Sequence, residues 1–172
     1  MPMPSDGKQG SIDAALRRRI TDGLLAPGEQ LPRRTDLERE FSASRVTIQR
    51  VFDQLIADGF VRTNGRGGTF VVEHPPHRCR FALVFGVADL DSQRFWSALD
   101  HEARMLSSPR RSIVSYADVL DTQEAAAQQG RLLADMRARR LAGVIWTTFP
   151  GEAIVEGPLV RNSLVPSVAI MG

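Results

Sequence analysis

The chain has 172 residues, of which 42% are hydrophobic and 24% charged, so it should fold as one ordinary domain or two small ones. It has no apolar run of the roughly 18 residues that a membrane span needs and no apolar secretion signal near its start, and its single cysteine, Cys79, excludes an intrachain disulfide. These features predict a cytoplasmic protein. The net charge is only +2, so the positions of the cations, and not their number, would indicate a polyanionic partner.

The first half of the chain begins with two predicted helices. Residues 1–10 are expected to form a flexible N-terminus, and Ser11 is a suitable cap for a helix with apolar residues at helical spacing over 12–20. The tetrapeptide "TDLE", which starts at Thr35, matches a capping box. It predicts a short second helix that ends near Phe41.

A third helix is predicted between Ser44, a suitable N-cap, and Gly59, a suitable stop. At 100° per residue its apolar residues gather on one side, which leaves Val46, Arg45 and Arg50 on the other side or its flank. Cations at a helix N-terminus are disfavoured unless an anion is bound there. The runs "FVRT" and "TFVV" around "NGRGG" then predict a hairpin. Helix, short helix, helix and hairpin is the order of a winged helix-turn-helix.

Four motifs stand in this order and spacing: "G-x-L-x-P-G-x-x-L-P" from Gly23, "S-R-x-T" from Ser44, "L-x-x-x-G" from Leu55, and "G-T-F-V" from Gly68. Together they resemble the DNA-binding domain of GntR-type bacterial transcription regulators. The resemblance implies a homodimer on a pseudo-palindromic, double-stranded operator. It places the third helix in the major groove and the hairpin wing against the minor groove.

The resemblance and the charge pattern together give a set of expected DNA contacts at the start of the second helix, along the third helix and at the wing tip. The set is Arg33, Arg34, Thr35, Ser44, Arg45, Val46, Thr47, Gln49, Arg50, Arg66 and Gly67. The family commonly has arginine where Thr35 and Gln49 stand, and we expect the neighbouring arginines to replace those contacts in part. Arg45 and Arg50 suit guanine readout or phosphate binding, Gln49 suits adenine, and Val46 suits a thymine methyl group.

The segment "EHPPHRC" predicts a linker over residues 74–79, after a winged helix domain over 11–73, because its two prolines favour an extended connection. Its two histidines and Cys79 lack a second ligand pair, so no metal site is predicted. From residue 80 on, strand patterns alternate with helical ones over 92–106, 122–139 and, weakly, 152–160. The strand patterns are "RFALVFG", "SIVSYAD", "AGVIWTTF" and "VPSVAIMG". This alternation predicts βαβ units and a parallel sheet, so the fold class is an α+β winged helix-turn-helix followed by an incomplete α/β domain.

"FALVFGVADLDSQRFWSAL" and "RRLAGVIW" are similar to the start of the LacI-type, periplasmic-binding-protein-like effector domain. The resemblance implies a sugar-like effector, with one wall of its cleft formed by Asp89, Asp91, Phe95, Asp118, Thr147 and Thr148. Phe95 and Trp146 suit either stacking on a sugar ring or core packing. Residues 80–172 match only the first subdomain of that fold, so we expect effector control to be lost in this chain.

The sequence pattern leaves three functions to compare. The first is a sequence-specific transcription regulator, expected to be a repressor, and the second is a dimerisation or scaffold module without specific DNA binding. The third is an enzyme of the GntR–aminotransferase type, which needs a Schiff-base lysine, whereas no lysine follows Lys8. No glycine-rich nucleotide motif follows the first strand, so neither enzymatic activity nor a cofactor is expected.

Overall fold

The computed structural model describes residues 7–86, 94–119, 125–161 and 165–170, without the side chains of Arg66 and Ala153. The chain divides into two compact units, Met1–Pro75 and Pro76–Gly172. Each unit has its own hydrophobic core.

The first unit consists of three helices and a hairpin. In chain order these are α1 (Lys8–Thr21), α2 (Arg34–Glu40), α3 (Arg45–Ala57), β1 (Val61–Thr63), a 3-10 turn (Gly65–Gly67) and β2 (Thr69–Val71). The two strands are antiparallel, with Val61 opposite Val71. The predicted winged helix arrangement is confirmed.

The boundaries of α3 follow from local chemistry. The Thr47 N–H donates to Ser44 Oγ at 3.2 Å, which is the predicted N-cap. Gly59 has φ 78°, the left-handed conformation that suits the residue just past a helix end. Both predicted boundaries of the third helix are therefore confirmed.

Two predicted helix starts are wrong. α1 begins at Lys8, so residues 8–10 are helical, and Ser11 donates its N–H to the Gly7 carbonyl instead of capping the helix. Gly7 has an extended backbone and takes the cap position. The glycine among residues 8–10 lies inside the first turn, where its low helix propensity is tolerated. α2 begins at Arg34, because Arg33 after Pro32 is the last extended residue. Thr35 therefore lies inside α2 and forms no capping box.

The second unit is a parallel sheet with helices between its strands. Its elements are α4 (Pro76–Cys79), β3 (Arg80–Val84), α5 (Arg94–Met105), β4 (Ser112–Tyr116), α6 (Ala125–Arg137), β5 (Gly143–Trp146), α7 (Glu152–Val155) and β6 (Ser167–Ala169). The strand order is β4-β3-β5-β6, and each neighbouring pair is parallel. The predicted βαβ architecture is confirmed.

The predicted linker over residues 74–79 is wrong in its second part. Pro76–Cys79 forms a turn of helix directly before β3. Proline is compatible with this position because the N–H of the first helical residue has no intrahelical partner. Pro76 therefore lies in a helical turn and not in the extended connection that the two prolines predicted.

Side chains that alternate along β3 contribute to two cores. Ala82 and Val84 lie in a cluster with Leu132 and Met136 of α6. Leu83, in contrast, packs in a second cluster with residues of α5. The sheet is therefore covered by α6 on one face and by α5 on the other.

Tyr116 ties β4 to α6 and gives a pH prediction. Its hydroxyl donates to Asp135 Oδ2, and Arg140 pairs with the same carboxylate at 2.7 Å. Burial raises the pKa of Tyr116, and the hydrogen bond and negative charge of Asp135 raise it further, against the lowering effect of Arg131 and Arg140. The pKa of Tyr116 in the folded state exceeds the unfolded value of about 10. The contribution of neutral Tyr116 to the free energy of unfolding is therefore complete below about pH 10 and is lost as the pH rises above it.

Tyr116 is the only tyrosine, so the ultraviolet absorbance of tyrosinate reports it alone. We expect no tyrosinate in the folded protein at about pH 10 and half-ionisation at that pH in urea. Stability should also fall more steeply above about pH 10 than in Tyr116→Phe. Half-ionisation of Tyr116 at about pH 10 in the folded protein would contradict this.

Candidate nucleic-acid interface

The helix α3 has an apolar face and an exposed cationic face. Ile48, Val51 and Leu55 are fully buried in the core of the first unit. On the other face Arg45 and Arg50 are exposed. Within the described ranges of the chain, neither of these guanidinium groups has a carboxylate partner. The two cations therefore face solvent from a helix whose opposite side is fixed in the core.

Val46 lies on the same exposed face, with 60% of its surface accessible. A valine exposed on this face is positioned to contact a base methyl group. Ile56, which helical spacing assigns to the core side, is instead exposed. The apolar face of α3 is thus narrower near its C-terminal end than predicted.

The N-terminus of α3 is suited to bind an anion. The first N–H groups of a helix have no intrahelical partners, and the Ser44 side chain satisfies only that of Thr47. The hydroxyls of Ser44 and Thr47 also lie 2.9 Å apart in a hydrogen bond. The remaining N–H groups and the guanidinium group of Arg45 are available for a phosphate.

Gln49 is already engaged within α3. Its Nε2 donates to Asp53 Oδ1 at 2.7 Å, one helical turn away. Bidentate contact with adenine uses both the amide N–H and the amide oxygen. Gln49 would therefore have to leave Asp53 to read adenine, a requirement that spacing on the sequence did not reveal.

A cavity of about 490 Å³ lies between the start of α2 and the hairpin. Arg33, Arg34 and Thr35 line one side of it, and Thr63 and Gly65 line the other. All three of these α2-side residues, Arg33, Arg34 and Thr35, are exposed. The three predicted contact residues of α2 are therefore brought together with the hairpin around one open, cationic cavity.

Arg34 is held in place by an aromatic ring. Its guanidinium group lies 5.0 Å from the ring centroid of Phe52 on α3, a cation–π distance. This contact connects α2 to α3 beside the cavity. Helical spacing did not predict this contact, because it assigned Phe52 only to the apolar side of α3.

The wing tip is a tight turn. Arg66 lies in the middle of the 3-10 turn, and Gly67 follows it and donates its N–H to the Asn64 carbonyl at 2.7 Å. Gly65 and Gly68 have φ values of 47° and 111°, which side-chain-bearing residues rarely adopt. The two predicted wing residues thus lie at the tip of the hairpin.

The predicted effector residues have mixed outcomes. Asp89 and Asp91 lie outside the described residues. Asp118 follows β4, and Thr147 and Thr148 follow β5, so the parallel sheet brings these three to one edge. Thr147 is buried, and its hydroxyl has no hydrogen-bond partner among the described residues.

The two aromatic candidates differ in burial. Trp146 is 2% exposed and lies in the core with α6, so stacking on a sugar ring is wrong for it. Phe95 is 61% exposed at the start of α5, with its ring centroid 4.8 Å from that of Trp96. Core packing is therefore wrong for Phe95.

No helix within the described ranges is long and apolar enough to cross a membrane.

Comparison with known proteins gives one family match. The family described as "Bacterial regulatory proteins, gntR family" matches residues 8–71. The HTH-type transcriptional regulator TauR of Rhodobacter capsulatus is 32% identical over 74 residues, which are 41% of this chain and 15% of the relative. The histidine utilization repressor of Pseudomonas putida is 28% identical over 126 residues, which are 73% of this chain and 44% of the relative.

The mannosyl-D-glycerate transport/metabolism system repressor MngR of Escherichia coli is 36% identical over 58 residues, or 34% of this chain and 24% of the relative. The chain thus spans less than half the length of each of these curated relatives. A crystal structure of the AraR DNA-binding domain in complex with an operator is 26% identical and covers 42% of this chain and 89% of that chain, with a TM-score of 0.38. This TM-score is too low to support an inference. The identification of the domain is therefore based on the family match and on the helices and strands described above. Residues 8–71 form a winged helix DNA-binding domain of the GntR family.

Proposed function

We propose that the protein is a sequence-specific DNA-binding transcription regulator that acts as a repressor. The observation that carries the proposal is the exposed cationic face of α3 in a GntR-family domain. The named repressors among its relatives support the same direction of control. A scaffold module does not require this face of α3 to expose a valine and two arginines that lack a carboxylate partner within the described residues.

Each contact residue has a proposed role. Arg45 and Arg50 read guanine or bind phosphate, and Val46 contacts a thymine methyl group in the major groove. Arg33 and Arg34 bind a backbone phosphate that enters the cavity between α2 and the hairpin. This geometry suits DNA because the phosphate backbone lies between the major groove, where α3 would bind, and the minor groove, where the wing would bind.

The remaining members of the contact set act from the two ends of the cavity. Ser44 and Thr47 offer hydroxyls at the start of α3, and Thr35 offers one from α2. Arg66, with Gly67 beside it, enters the minor groove from the wing tip, where a narrow groove attracts arginine. We propose a homodimer, since two such domains match a pseudo-palindromic operator.

We propose that the second unit corresponds to the first subdomain of a LacI-type effector domain, which forms one wall of the cleft for a sugar-like ligand. The parallel sheet supports this, because ligands of such sheets bind beyond the carboxyl ends of the strands. Asp118, Thr147 and Thr148 follow strands at that edge, and the Thr147 hydroxyl has no partner among the described residues that would compete for a hydrogen bond with a ligand. Isothermal calorimetry with monosaccharides and sugar phosphates tests this, and a Thr147→Val variant should lose any binding observed.

The DNA-binding proposal is tested by a fluorescence anisotropy titration on DNA that flanks the protein's own gene, at several salt concentrations. A protein that contacts about six to ten phosphates loses roughly 10³–10⁵-fold in affinity between about 50 and 200 mM salt. We expect a loss of this size, and tighter binding to the flanking DNA than to a scrambled duplex of the same composition. Absence of binding at low salt would favour the scaffold function, and equal binding to both duplexes would refute sequence specificity.

A further inference from the structure

A side chain outside the hairpin forms a hydrogen bond to the wing tip. Gln30, in the segment between α1 and α2, donates from Nε2 to the carbonyl oxygen of Gly67 at 3.0 Å. We propose that Gln30 is a positioning residue for DNA recognition, which holds the wing in the conformation that enters the minor groove. This inference rests on the proposed DNA-binding function.

The backbone around Gln30 is fixed independently of its side chain. Residues 28–31 pair with β2 through three hydrogen bonds: Gly28 N–H to Val71 O at 3.0 Å, Val71 N–H to Glu29 O at 2.9 Å, and Leu31 N–H to Thr69 O at 2.8 Å. Gln30 itself pairs with Phe70. The segment thus forms an isolated β-bridge beside β2, and the Gln30 side chain extends from this fixed backbone to the wing tip.

The tip has few constraints of its own. Each strand of the hairpin is three residues long. Within the described backbone, the turn is closed by Gly67 N–H to Asn64 O and by Asn64 N–H to Gly68 O at 2.9 Å. Three of the five residues over 64–68 are glycines, which lose the most conformational freedom when they are ordered. A contact from outside the hairpin should therefore strongly increase the population of the turn conformation seen in the structure.

Gly68 provides the space that the Gln30 amide occupies. A Cβ on Gly68 would overlap Gln30 Nε2 and would lie 3.2 Å from its Cδ. The φ of 111° at Gly68 also excludes other residues without strain. The absence of a side chain at Gly68 therefore leaves room for the Gln30 amide in this position.

The contact affects DNA binding through the mobility of the wing. If the tip samples several conformations, the entropy lost on binding DNA is larger and the affinity is lower. The contact needs a donor at position 30, because the Gly67 carbonyl can only accept. Methionine keeps the length of the side chain without a donor, and ionised glutamate presents oxygens to the carbonyl oxygen.

The test compares Gln30→Met and Gln30→Glu with wild type, and Gln9→Met on α1 serves as the matched control. We expect operator affinity to fall about fivefold for Gln30→Met, more for Gln30→Glu and not at all for Gln9→Met, with the melting temperature unchanged in all three. Amide hydrogen exchange without DNA should become faster at Asn64 and Gly67 in both Gln30 variants. A wild-type affinity and unchanged exchange in Gln30→Met would overturn the proposal.

A double-mutant cycle separates a positioning role from a general structural role. In an Arg66→Ala background, where the wing tip has lost its cation, Gln30→Met should weaken binding little further. Full additivity of the two substitutions would contradict positioning of the wing. If wild type binds no DNA, the proposed function fails, while the exchange measurement still decides whether Gln30 restrains the wing.

Discussion

Replacement of Arg45 by alanine should weaken binding to the preferred operator by about 1–3 kcal/mol, which is roughly 5- to 150-fold in affinity. Arg45 is exposed at the start of α3 and has no carboxylate partner in the described part of the chain. Alanine is a strong helix former, so α3 should remain intact. The loss should therefore be in DNA binding alone, measured by anisotropy titration with thermal unfolding alongside.

Arg18→Ala is the matched control for Arg45→Ala. Arg18 is an exposed arginine on α1 of the same unit, so its removal changes the net charge equally. We expect Arg18→Ala to retain nearly the full affinity for the operator. Arg45 is a base-reading residue if its loss is larger on the operator than on a scrambled duplex, and a phosphate-binding residue if both fall alike with a smaller salt dependence. Unchanged operator binding in Arg45→Ala would show that α3 is not the recognition helix.

Arg17→Met should destabilise the first unit by about 3–5 kcal/mol. The Arg17 side chain is among the most buried in the domain, with only 3% of the residue exposed. Its guanidinium group binds Asp13 at 2.6 Å and Asp58 at 2.5 Å, and lies 4.8 Å from the centroid of the Phe60 ring. Burial alone would lower the pKa of Arg17, but the two carboxylates outweigh it, so the pKa is raised and the group stays charged.

The cost arises because Asp58 would be left buried without its cation. Asp58 is the C-cap residue of α3 and also accepts a hydrogen bond from Gln54 at 3.1 Å. The ion cluster therefore fixes α1 against the end of α3. Urea unfolding measures the loss, and Arg18→Met on the exposed face of α1 should change stability by no more than about 0.5 kcal/mol.

A double variant identifies the source of this destabilisation. Arg17→Met combined with Asp58→Asn removes the buried charge that the single variant leaves unpaired, so it should recover a large part of the lost stability. A loss below about 1 kcal/mol in Arg17→Met would contradict a structural role for the cluster. So would a double variant that is less stable than the single one.

The elements that could be predicted from the sequence are those set by local chemistry. Ser44 and Gly59 fix the ends of α3 because a cap hydroxyl and a left-handed glycine act within one turn. Runs of β-branched and apolar residues around "NGRGG" predicted the hairpin for the same reason. The parallel sheet followed from the alternation of strand and helix patterns, which needs no long-range information.

The features that could not be predicted depend on contacts between distant segments. In the sequence Arg17, Arg18 and Arg19 form one charged run. Arg17 is nevertheless buried, because it pairs with Asp58, which lies 41 residues away in sequence. Gln30 is likewise an ordinary polar residue until the hairpin folds beside it. The failed capping box at Thr35 shows the converse case, since the extended Arg33 after Pro32 takes the N-cap position and α2 starts two residues earlier than predicted.

The most direct measurement is amide hydrogen exchange of the full chain with and without operator DNA. We expect new protection over residues 45–50 at the start of α3 and over residues 64–68 at the wing, with little change in the exposed part of α1. The same titration on a scrambled duplex should give weaker protection at the same positions. Unchanged exchange at the start of α3 in the presence of bound DNA would contradict the assignment of its cationic face as the recognition surface.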